Sequence, residues 1–474
     1  MPPPRISAVI ITRNNRLDIG DALRSLRESQ PRPDEVIVID QSSSDGTADL
    51  VRRDFPEALV LDFWDNPGFG EGNNRGFRVA TGEYLFLLNP DAVAERCCLA
   101  GLLGALQADR GRGIAVPKTV MAGEPSVINS AGLLMNRIGH GWDRGFLEWD
   151  HGQFDRSEDV LAGSGCALLI RASVVRALGG FDAPYFLYYE DLDLCLRSWL
   201  AGHAVHYVPS AVVRHNMKVH ARPLLYGEYL DHRNRLRTLA KVLSGRSLIR
   251  LAPTVLQLEA RAILALVARR QWQAARFRAA AAAWNLVHAG STVRLRRAVQ
   301  RSRTVGDDQL RRLMALGGDV PRARAAIPGY PPVYQHSLDL SQLAATLEMG
   351  RNDIGALGLG WHGLESMDGR ACRWSCGYGI LFLRAPRQAW SGKITLTCRS
   401  PRPVEVGVRV SGQPPAPLSL TGAGWEDHVL DAATTDGLLR LEILPQRTLT
   451  PAEEMPGTPD SRVLGVAVAS ATAG

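Results

Sequence analysis

The sequence predicts an α/β domain built on a mostly parallel sheet, followed by a helical segment and a C-terminal all-β domain of sandwich or jelly-roll type. Three observations predict it. Short apolar runs alternate with helical patterns in the first third of the chain. An Arg-, Ala- and Leu-rich helical stretch runs from about Tyr226 to Arg312. The remainder breaks into short apolar runs at strand-and-turn spacing. With 474 residues, 45% of them hydrophobic and 22% charged, the chain can bury two to four cores, which excludes a disordered protein.

The first strands are expected at SAVIIT (7–12), EVIVID (35–40), ALVLDF (58–63) and YLFLLN (84–89). Near-continuous apolarity implies burial on both faces, and helical patterns between the runs complete βαβ units. Ligands of such sheets bind beyond the carboxyl ends of the strands. Polar clusters follow each run there: Thr12-Arg13-Asn14, Asp40 to Gly46, Asp65 to Gly68, and Asn89-Pro90-Asp91.

Asp91 is either an N-cap for the following AVAERCCLAGLLGAL or a ligand for a hard cation, whose coordination a diphosphate would complete. Asp40 closes a strand without an immediate capping duty and can accept hydrogen bonds from a base or ribose, whereas Asp45-Gly46 reads as a turn. Residues 158–220 read as strand, helix, loop, helix and strand. In the second of these helices Leu192, Cys195, Leu196, Trp199 and Leu200 form an apolar stripe that leaves Glu190 and Asp191 in the first turn. Asp193 and Arg197, four apart, read as a surface pair. His215 is a candidate metal ligand.

The glycines of WDNPGFGEGNNRGF, at 68, 70, 72 and 76, do not form GxGxxG, and TRNNRL follows the first strand, so a dinucleotide-dependent oxidoreductase is disfavoured. The glycines permit close backbone approach. The loop also carries the polar side chains of Asn66 and Asn74 and the cationic side chain of Arg75.

The seven cysteines form no CxxC pair, and the apolar segment after MPPPR is too short for a signal core or a span, so a reducing, cytoplasmic setting is expected. Cys372 and Cys376 could pair, bind metal or simply pack. The net charge is +7, with the arginine surplus concentrated between Arg233 and Arg303. Within that stretch, LIRLAPTVLQLEARAILALVARRQW suits helices that pack on the domain or rest on a membrane surface, because Arg250, Pro253, Glu259 and Arg261 interrupt it. The expected boundaries are 1–225, 226–318, a Pro/Gly-rich linker at 319–335, and 336–474. Trp361, Trp374, Trp390 and Trp425 in the tail serve its core or stack on sugars.

Taken in order, VIITRNN, VIVIDQSSSDGT, NPGFGEGNNRG, LFLLNPDA, AGSGCALLIRASV, GGFDAPYFLYYEDLDLCLR and VVRH resemble the inverting family 2 glycosyltransferases of GT-A fold, over about residues 6–220. The G-F-x-x-G-x-N-x-G form of the loop looks like the bacterial rhamnosyltransferase subgroup. The resemblance implies nucleotide-sugar contacts from Thr12, Asn14, Asp40, Asn66, Gly68, Gly72, Asn74, Asn89 and Asp91. It further implies a divalent metal, Mg²⁺ or Mn²⁺, at Asp91 and His215, Asp191 as general base, and Glu190 beside it in the acceptor site. Asn89 stands where many members carry the first acid of a DxD motif.

The implied function is inverting transfer of a sugar, rhamnose from dTDP-rhamnose, to a glycan or lipid-linked acceptor in cell-wall polysaccharide or O-antigen synthesis. The expected partners are that donor, that acceptor and the inner-membrane surface, with no nucleic acid. Alternatives are another donor such as UDP-galactofuranose, or a non-catalytic glycan-binding protein on the same scaffold. A glycoside hydrolase would also need two carboxylates, but would have no use for a phosphate-reading loop and a metal-type Asp.

Overall fold

The structure, a computed structural model, describes residues 5–122, 125, 127–146, 150, 152–216, 224–315, 343–352, 361–375, 379–411, 413–422, 424–435, 437–446 and 466–474. The chain divides into two compact units, Met1–Pro125 with Asn129–Phe146 and Phe154–Val320, and Ser126–Ile128 with Leu147–Gln153 and Pro321–Gly474. The Pro/Gly-rich stretch at 319–335 lies outside the described residues, as does Cys376.

The first unit runs β1 (Ile6–Thr12), α1 (Ile19–Glu28), β2 (Glu35–Gln41), α2 (Thr47–Asp54), β3 (Leu59–Phe63), α3 (Phe69–Val79) and β4 (Tyr84–Leu88). It continues through β5 (Ala92–Ala94), α4 (Cys98–Ala108), β6 (Arg112–Met121), β7 (Ile128–Ser130), β8 (Leu133–Met135), β9 (Gly141–Asp143) and β10 (Glu158–Asp159). Then come β11 (Ala167–Arg171), α5 (Ala172–Leu178), α6 (Glu190–Leu200) and β12 (Ala204–His215). The main sheet has the order β10-β12-β6-β11-β4-β1-β2-β3, with β5 beside β12 and β7 beside β6. β1 pairs in parallel with both β2 and β4, and β2 with β3, while β11 runs antiparallel between β4 and β6.

The four expected strands all form, and Val9, Ile10, Val38, Ile39 and Phe86 are fully buried, as near-continuous apolarity demands. β3 departs from that rule. It is the edge strand, and Leu59 is exposed. Because β1 lies between two parallel neighbours, the chain leaves it toward β2 on one side and returns to β4 on the other. That reversal opens a crevice at the carboxyl ends of β1 and β4.

After β12 the chain forms α7 (Leu224–Val242), α8 (Gly245–Ala268), α9 (Trp272–Val287), α10 (Ala289–Arg301) and α11 (Asp307–Ala315). These helices, expected as a region of their own from residue 226, belong to the same compact unit as the sheet. Their anchoring is both apolar and polar: on α7, Arg235, Arg237 and Lys241 are buried beside Leu230, Leu239 and Val242. The arginine surplus expected to meet phosphates, lipids or water is thus partly spent inside the protein.

The second unit is all-β. One antiparallel sheet has the order β14 (Trp361–Met367), β15 (Arg370–Ser375), β22 (Ala467–Ala473), β17 (Trp390–Arg399), β20 (Glu426–Thr434), with β13 (Thr346–Glu348) on β22. The other is β16 (Gly379–Arg384), β21 (Leu438–Pro445), β18 (Val404–Val410), β19 (Ala416–Leu420). Phe382, Val408 and Leu441 from one sheet share a core with Ile394, Leu396 and Ala471 from the other, which makes a sandwich. Trp374 and Trp390 are buried, and the indole of partly buried Trp425 donates to the carbonyl of Met367 at 3.3 Å. The six described cysteines are free thiols.

Candidate active site

The glycine-rich loop holds another loop of the protein. A Cβ at Gly68, where φ is +90°, would lie 2.3 Å from the carbonyl oxygen of Phe186. One at Gly76 would lie 2.4 Å from Val9, and one at Gly72 would press on the Gln41 amide. The glycines therefore let α3 settle onto β1, β2 and the segment before α6. Phe69 donates its N–H to the Phe186 carbonyl at 2.7 Å. Asn74 brackets Phe181, accepting from its N–H at 2.8 Å and donating to its carbonyl at 3.0 Å. Arg75 is engaged by Asp65 at 2.6 and 2.8 Å and lies over the Phe63 ring, so it is not the free cation that the loop sequence suggested.

The segment held in this way is strained. Phe186, Tyr188 and Tyr189 all have positive φ, at 64°, 68° and 71°. The Leu187 N–H bonds the Tyr185 carbonyl at 2.7 Å across Phe186, a γ-turn of the rare positive-φ kind. Such conformations cost on the order of 1–3 kcal/mol each and persist only where surroundings enforce them. α7 supplies the enforcement. The amide nitrogen of fully buried Asn234 lies 3.1, 2.8 and 2.7 Å from the carbonyl oxygens of Tyr185, Leu187 and Tyr188. Arg233 donates to the carbonyls of Pro184 and Tyr185. Asp193, read from sequence as one half of a surface pair with Arg197, is instead fully buried, and Arg197 nearly so. Its carboxylate meets Arg197 at 2.7 Å and Lys241 at 2.7 Å.

Two cavities lie on either side of this segment. The larger, about 690 Å³, is lined by Thr12, Arg13, Asn14 and Asn15 after β1, by Gln41, Asn66, Gly68, Asn89 and Asp91, and by Tyr226, Gly227 and Leu230 of α7. Two buried acceptors at the end of β2, Asp40 Oδ2 and Gln41 Oε1, have no hydrogen-bond partner, which marks a place for donors from a ligand. The other Asp40 oxygen accepts from the Ser43 N–H at 2.8 Å. Asn14 uses its side-chain oxygen on the Ser44 N–H at 2.8 Å, and Arg13 is the cation among the lining residues.

The smaller cavity, about 300 Å³, is lined by Asp143, Gly165, Cys166, Glu190, Asp191, His215 and Asp231, with Trp142, Tyr188 and Tyr189 as aromatic walls. Phe69, Asn89, Leu187 and Tyr188 line both spaces. Asp191 accepts from the Gly165 N–H at 2.8 Å and from the Leu192 N–H at 2.7 Å. Burial raises its pKa against those two bonds. Glu190 is buried with Oε2 unpartnered, and burial together with the neighbouring Asp191 charge lifts it well above the ordinary carboxyl range. Burial thus raises both of these adjacent carboxyls, with the Asp191 charge adding to the effect on Glu190. Burial also lifts Asp143, to about 7, and Asp231, to about 6.

At the junction of the two spaces, Asp91 Oδ1 lies 3.3 Å from His215 Nε2. The N-cap reading of Asp91 does not hold: a short strand follows it, and the next helix begins at Cys98. The other His215 ring nitrogen lies 3.0 Å from the Asn129 oxygen, which fixes the ring. Burial alone would lower the His215 pKa, but Cys166 and Asp91 raise it well above the usual value. The pair suits a hard or borderline divalent cation that takes its remaining ligands from a diphosphate and water. Among the described residues no cluster of three or more His, Cys, Asp or Glu side chains could hold a metal ion.

Of the residues singled out from sequence, Thr12, Asn14, Asn66, Gly68, Asn89 and Asp91 line the larger cavity, and Asn89, Glu190, Asp191 and His215 line the smaller. Asp40, Gly72 and Asn74 line neither. Asn74, expected as a contact to sugar nucleotide, spends its amide on Phe181 and Glu71. Sequence reasoning missed Asp143, Asp231 and the α7 residues. The signal for α7 was the polar and aromatic face Tyr226, Gly227, Leu230, Asp231 at helical spacing; Asp143 had none.

The family model for glycosyl transferase family 2 matches residues 7–179. The N-acetylglucosaminyl-diphospho-decaprenol L-rhamnosyltransferase of Mycobacterium tuberculosis is 30% identical over 225 residues, covering 42% of this chain and 71% of the relative. Rhamnosyltransferase WbbL of Escherichia coli is 51% identical over 47 residues, 10% of this chain and 18% of the relative. Among solved structures, the mannosyltransferase PcManGT from Pyrobaculum calidifontis, in complex with GDP-Man and Mn²⁺, matches with a TM-score of 0.39 and 21% identity. That match covers 63% of this chain and 86% of the other.

Proposed function

Because the chain belongs to glycosyl transferase family 2 and is a glycosyltransferase, we propose that it transfers a single sugar, with inversion, from a nucleoside-diphosphate donor to a hydroxyl of a glycan or lipid-linked acceptor. The sugar assigned is rhamnose, on the names of the mycobacterial and E. coli relatives, and the nucleotide is dTDP, which the subgroup resemblance implies. The observation that carries this reading is the Asp91–His215 pair at 3.3 Å on the boundary between two cavities, one with nucleotide-sized space and one with Asp191 on its wall.

The donor lies in the larger space, its base or ribose near Asp40 and Gln41 and its diphosphate toward Asp91. Arg13 offsets diphosphate charge. Asp91 and His215 would hold a divalent cation, which supplies charge neutralisation on the departing diphosphate. The acceptor sugar enters the smaller space between Tyr188 and Tyr189. There Asp191, held by the Gly165 and Leu192 N–H groups, takes the proton of the acceptor hydroxyl as its oxygen attacks the anomeric carbon from the face opposite the diphosphate. Its raised pKa makes it a stronger base than an exposed carboxylate. Glu190, kept neutral, donates a hydrogen bond to the acceptor instead of competing for its proton. A lipid-linked acceptor places the enzyme at the cytoplasmic face of the inner membrane.

Thermal stabilisation and donor hydrolysis are measured with dTDP-rhamnose, UDP-galactofuranose, GDP-mannose and NAD(H), each with and without Mg²⁺ or Mn²⁺. Stabilisation by dTDP-rhamnose, strengthened by metal and weakened in Asp91→Asn, is expected. Stabilisation by NAD(H) alone would overturn the reading, and a response to another nucleotide sugar would reassign the donor.

A further inference from the structure

The helix α8 has two faces of opposite chemistry. Its inner face is fixed by buried Val255 and Glu259, the latter paired with Arg235 of α7 and with Arg278 of α9 at 2.7 Å. Its outer face carries Ile249, Pro253, Leu256, Ala260 and Leu264 in one line at helical spacing, all exposed, Ile249 at 76% and Leu256 at 67%. Exposed Trp272, Leu286 and Val287 add apolar groups from α9. An exposed apolar line on one helix face marks an interaction surface.

Charge points the same way. Between Gly245 and Arg301 the sequence has eleven arginines and one acidic residue, and that residue is the buried Glu259. Arg250 and Arg261 flank the apolar line. At the start of α8 a cleft of about 690 Å³ is lined by Arg246, Arg250, Arg303 and Arg311. Arg303 and Arg311 are matched by Asp307 and Asp308, but among the described residues Arg246 and Arg250 make no ion pair.

We infer that the outer face of α8 docks on an anionic phospholipid bilayer, Ile249, Leu256 and Leu264 entering the acyl boundary and Arg246 and Arg250 taking lipid phosphates at the cleft. α8 is the one described helix long and apolar enough to cross a membrane, at 24 residues or about 36 Å. It does not cross. Crossing would drag the Glu259 pairs with Arg235 and Arg278 into hydrocarbon. A long amphipathic helix with arginines bordering an apolar face rests in the interface. The inference rests on this surface alone and holds whichever sugar is transferred.

Full-length protein is sedimented at physiological salt with vesicles of phosphatidylcholine alone and of phosphatidylcholine with phosphatidylglycerol. Binding to the anionic vesicles is expected, at least tenfold stronger than to neutral ones. Leu256→Glu with Leu264→Glu, and separately Arg246→Glu with Arg250→Glu, should each lower it at least tenfold while nucleotide-sugar stabilisation without vesicles stays at the wild-type level. No sedimentation with anionic vesicles, or equal binding by the variants, overturns the inference. So does stabilisation by inorganic phosphate without vesicle binding, which makes the cleft a free-anion site. Dimerisation abolished by Leu256→Glu, again without vesicle binding, makes the face a contact between copies.

Discussion

The ammonium of Lys241, on α7, lies 2.7 Å from a carboxylate oxygen of Asp193, on α6, with both side chains fully buried. Asp182, lowered to about 2 against its own burial by Lys241 and Arg237, shares the same ammonium at 2.5 Å. Two carboxylates therefore share one lysine, Asp193 also holding Arg197 and Asp182 also holding Arg237. Removing one member of such a buried ion network leaves its remaining charges poorly compensated.

Lys241→Met should accordingly lower the free energy of unfolding by about 3–5 kcal/mol. Arg53→Ala, which breaks an exposed pair with Asp54, serves as the comparison and should leave the urea midpoint unchanged. Urea denaturation followed by far-UV circular dichroism checks both. Equal midpoints for Lys241→Met and wild type would mean the lysine is not needed to hold α6 against α7.

Asn234 acts on the site without touching its cavities, by holding the carbonyls of Tyr185, Leu187 and Tyr188. Asn234→Ala frees a strained segment whose residues line both spaces, so acceptor hydroxyl and base lose their mutual placement. Misplacement on the scale of 1 Å costs about 100-fold in rate. A drop in kcat of that order is expected, with nucleotide-diphosphate affinity changed less than about threefold. An unchanged kcat would show that α3 and Arg233 hold the segment without Asn234.

How much of this was open to view in the sequence follows from what each residue depends on. Asp91 and His215 each end or follow an apolar run, and β-strand pairing brings such ends to one edge, so both could be picked out. Asp193 and Arg197 announced their contact through i,i+4 spacing, but spacing is silent on solvent, and the residue that buries them, Lys241, lies 48 positions from Asp193. Asp143 sits on the short hairpin β8–β9, where no periodic pattern or helix end marks it. The glycines of α3 were legible as close-approach positions. What approaches, the Phe186 carbonyl more than 100 residues away, was not.

Asp143 gives the protein a pH signature. A carboxyl raised from 3.8 to about 7, chiefly by burial, favours the folded state most fully below pH 3.8 and loses that contribution as the pH rises through about 7. Asp143→Asn removes this dependence. Relative to wild type, the variant should gain melting temperature between about pH 4 and pH 8, by several degrees at the upper end. Scanning calorimetry across that range checks it, and parallel curves for the two proteins would count against the raised pKa.

The two carboxyls that open α6 should separate by function. Asp191→Asn leaves the hydrogen bond from Gly165 an acceptor but removes the basic oxygen pair, and should cost about 10²–10⁴ in kcat with donor affinity retained. Glu190→Gln replaces a neutral acid by a neutral amide of the same shape. It keeps a donor toward the acceptor, so kcat should fall by about tenfold at most while acceptor KM rises. Burial and the Asp191 charge raise the pKa of Glu190, so loss of activity on its ionisation falls on the basic limb, and Glu190→Gln should remove that limb. The acidic limb, which reports Asp191, should vanish only in Asp191→Asn. Initial rates with donor and acceptor varied from about pH 5 to pH 9 distinguish the pair. A larger loss in Glu190→Gln than in Asp191→Asn would transfer the role of base to Glu190.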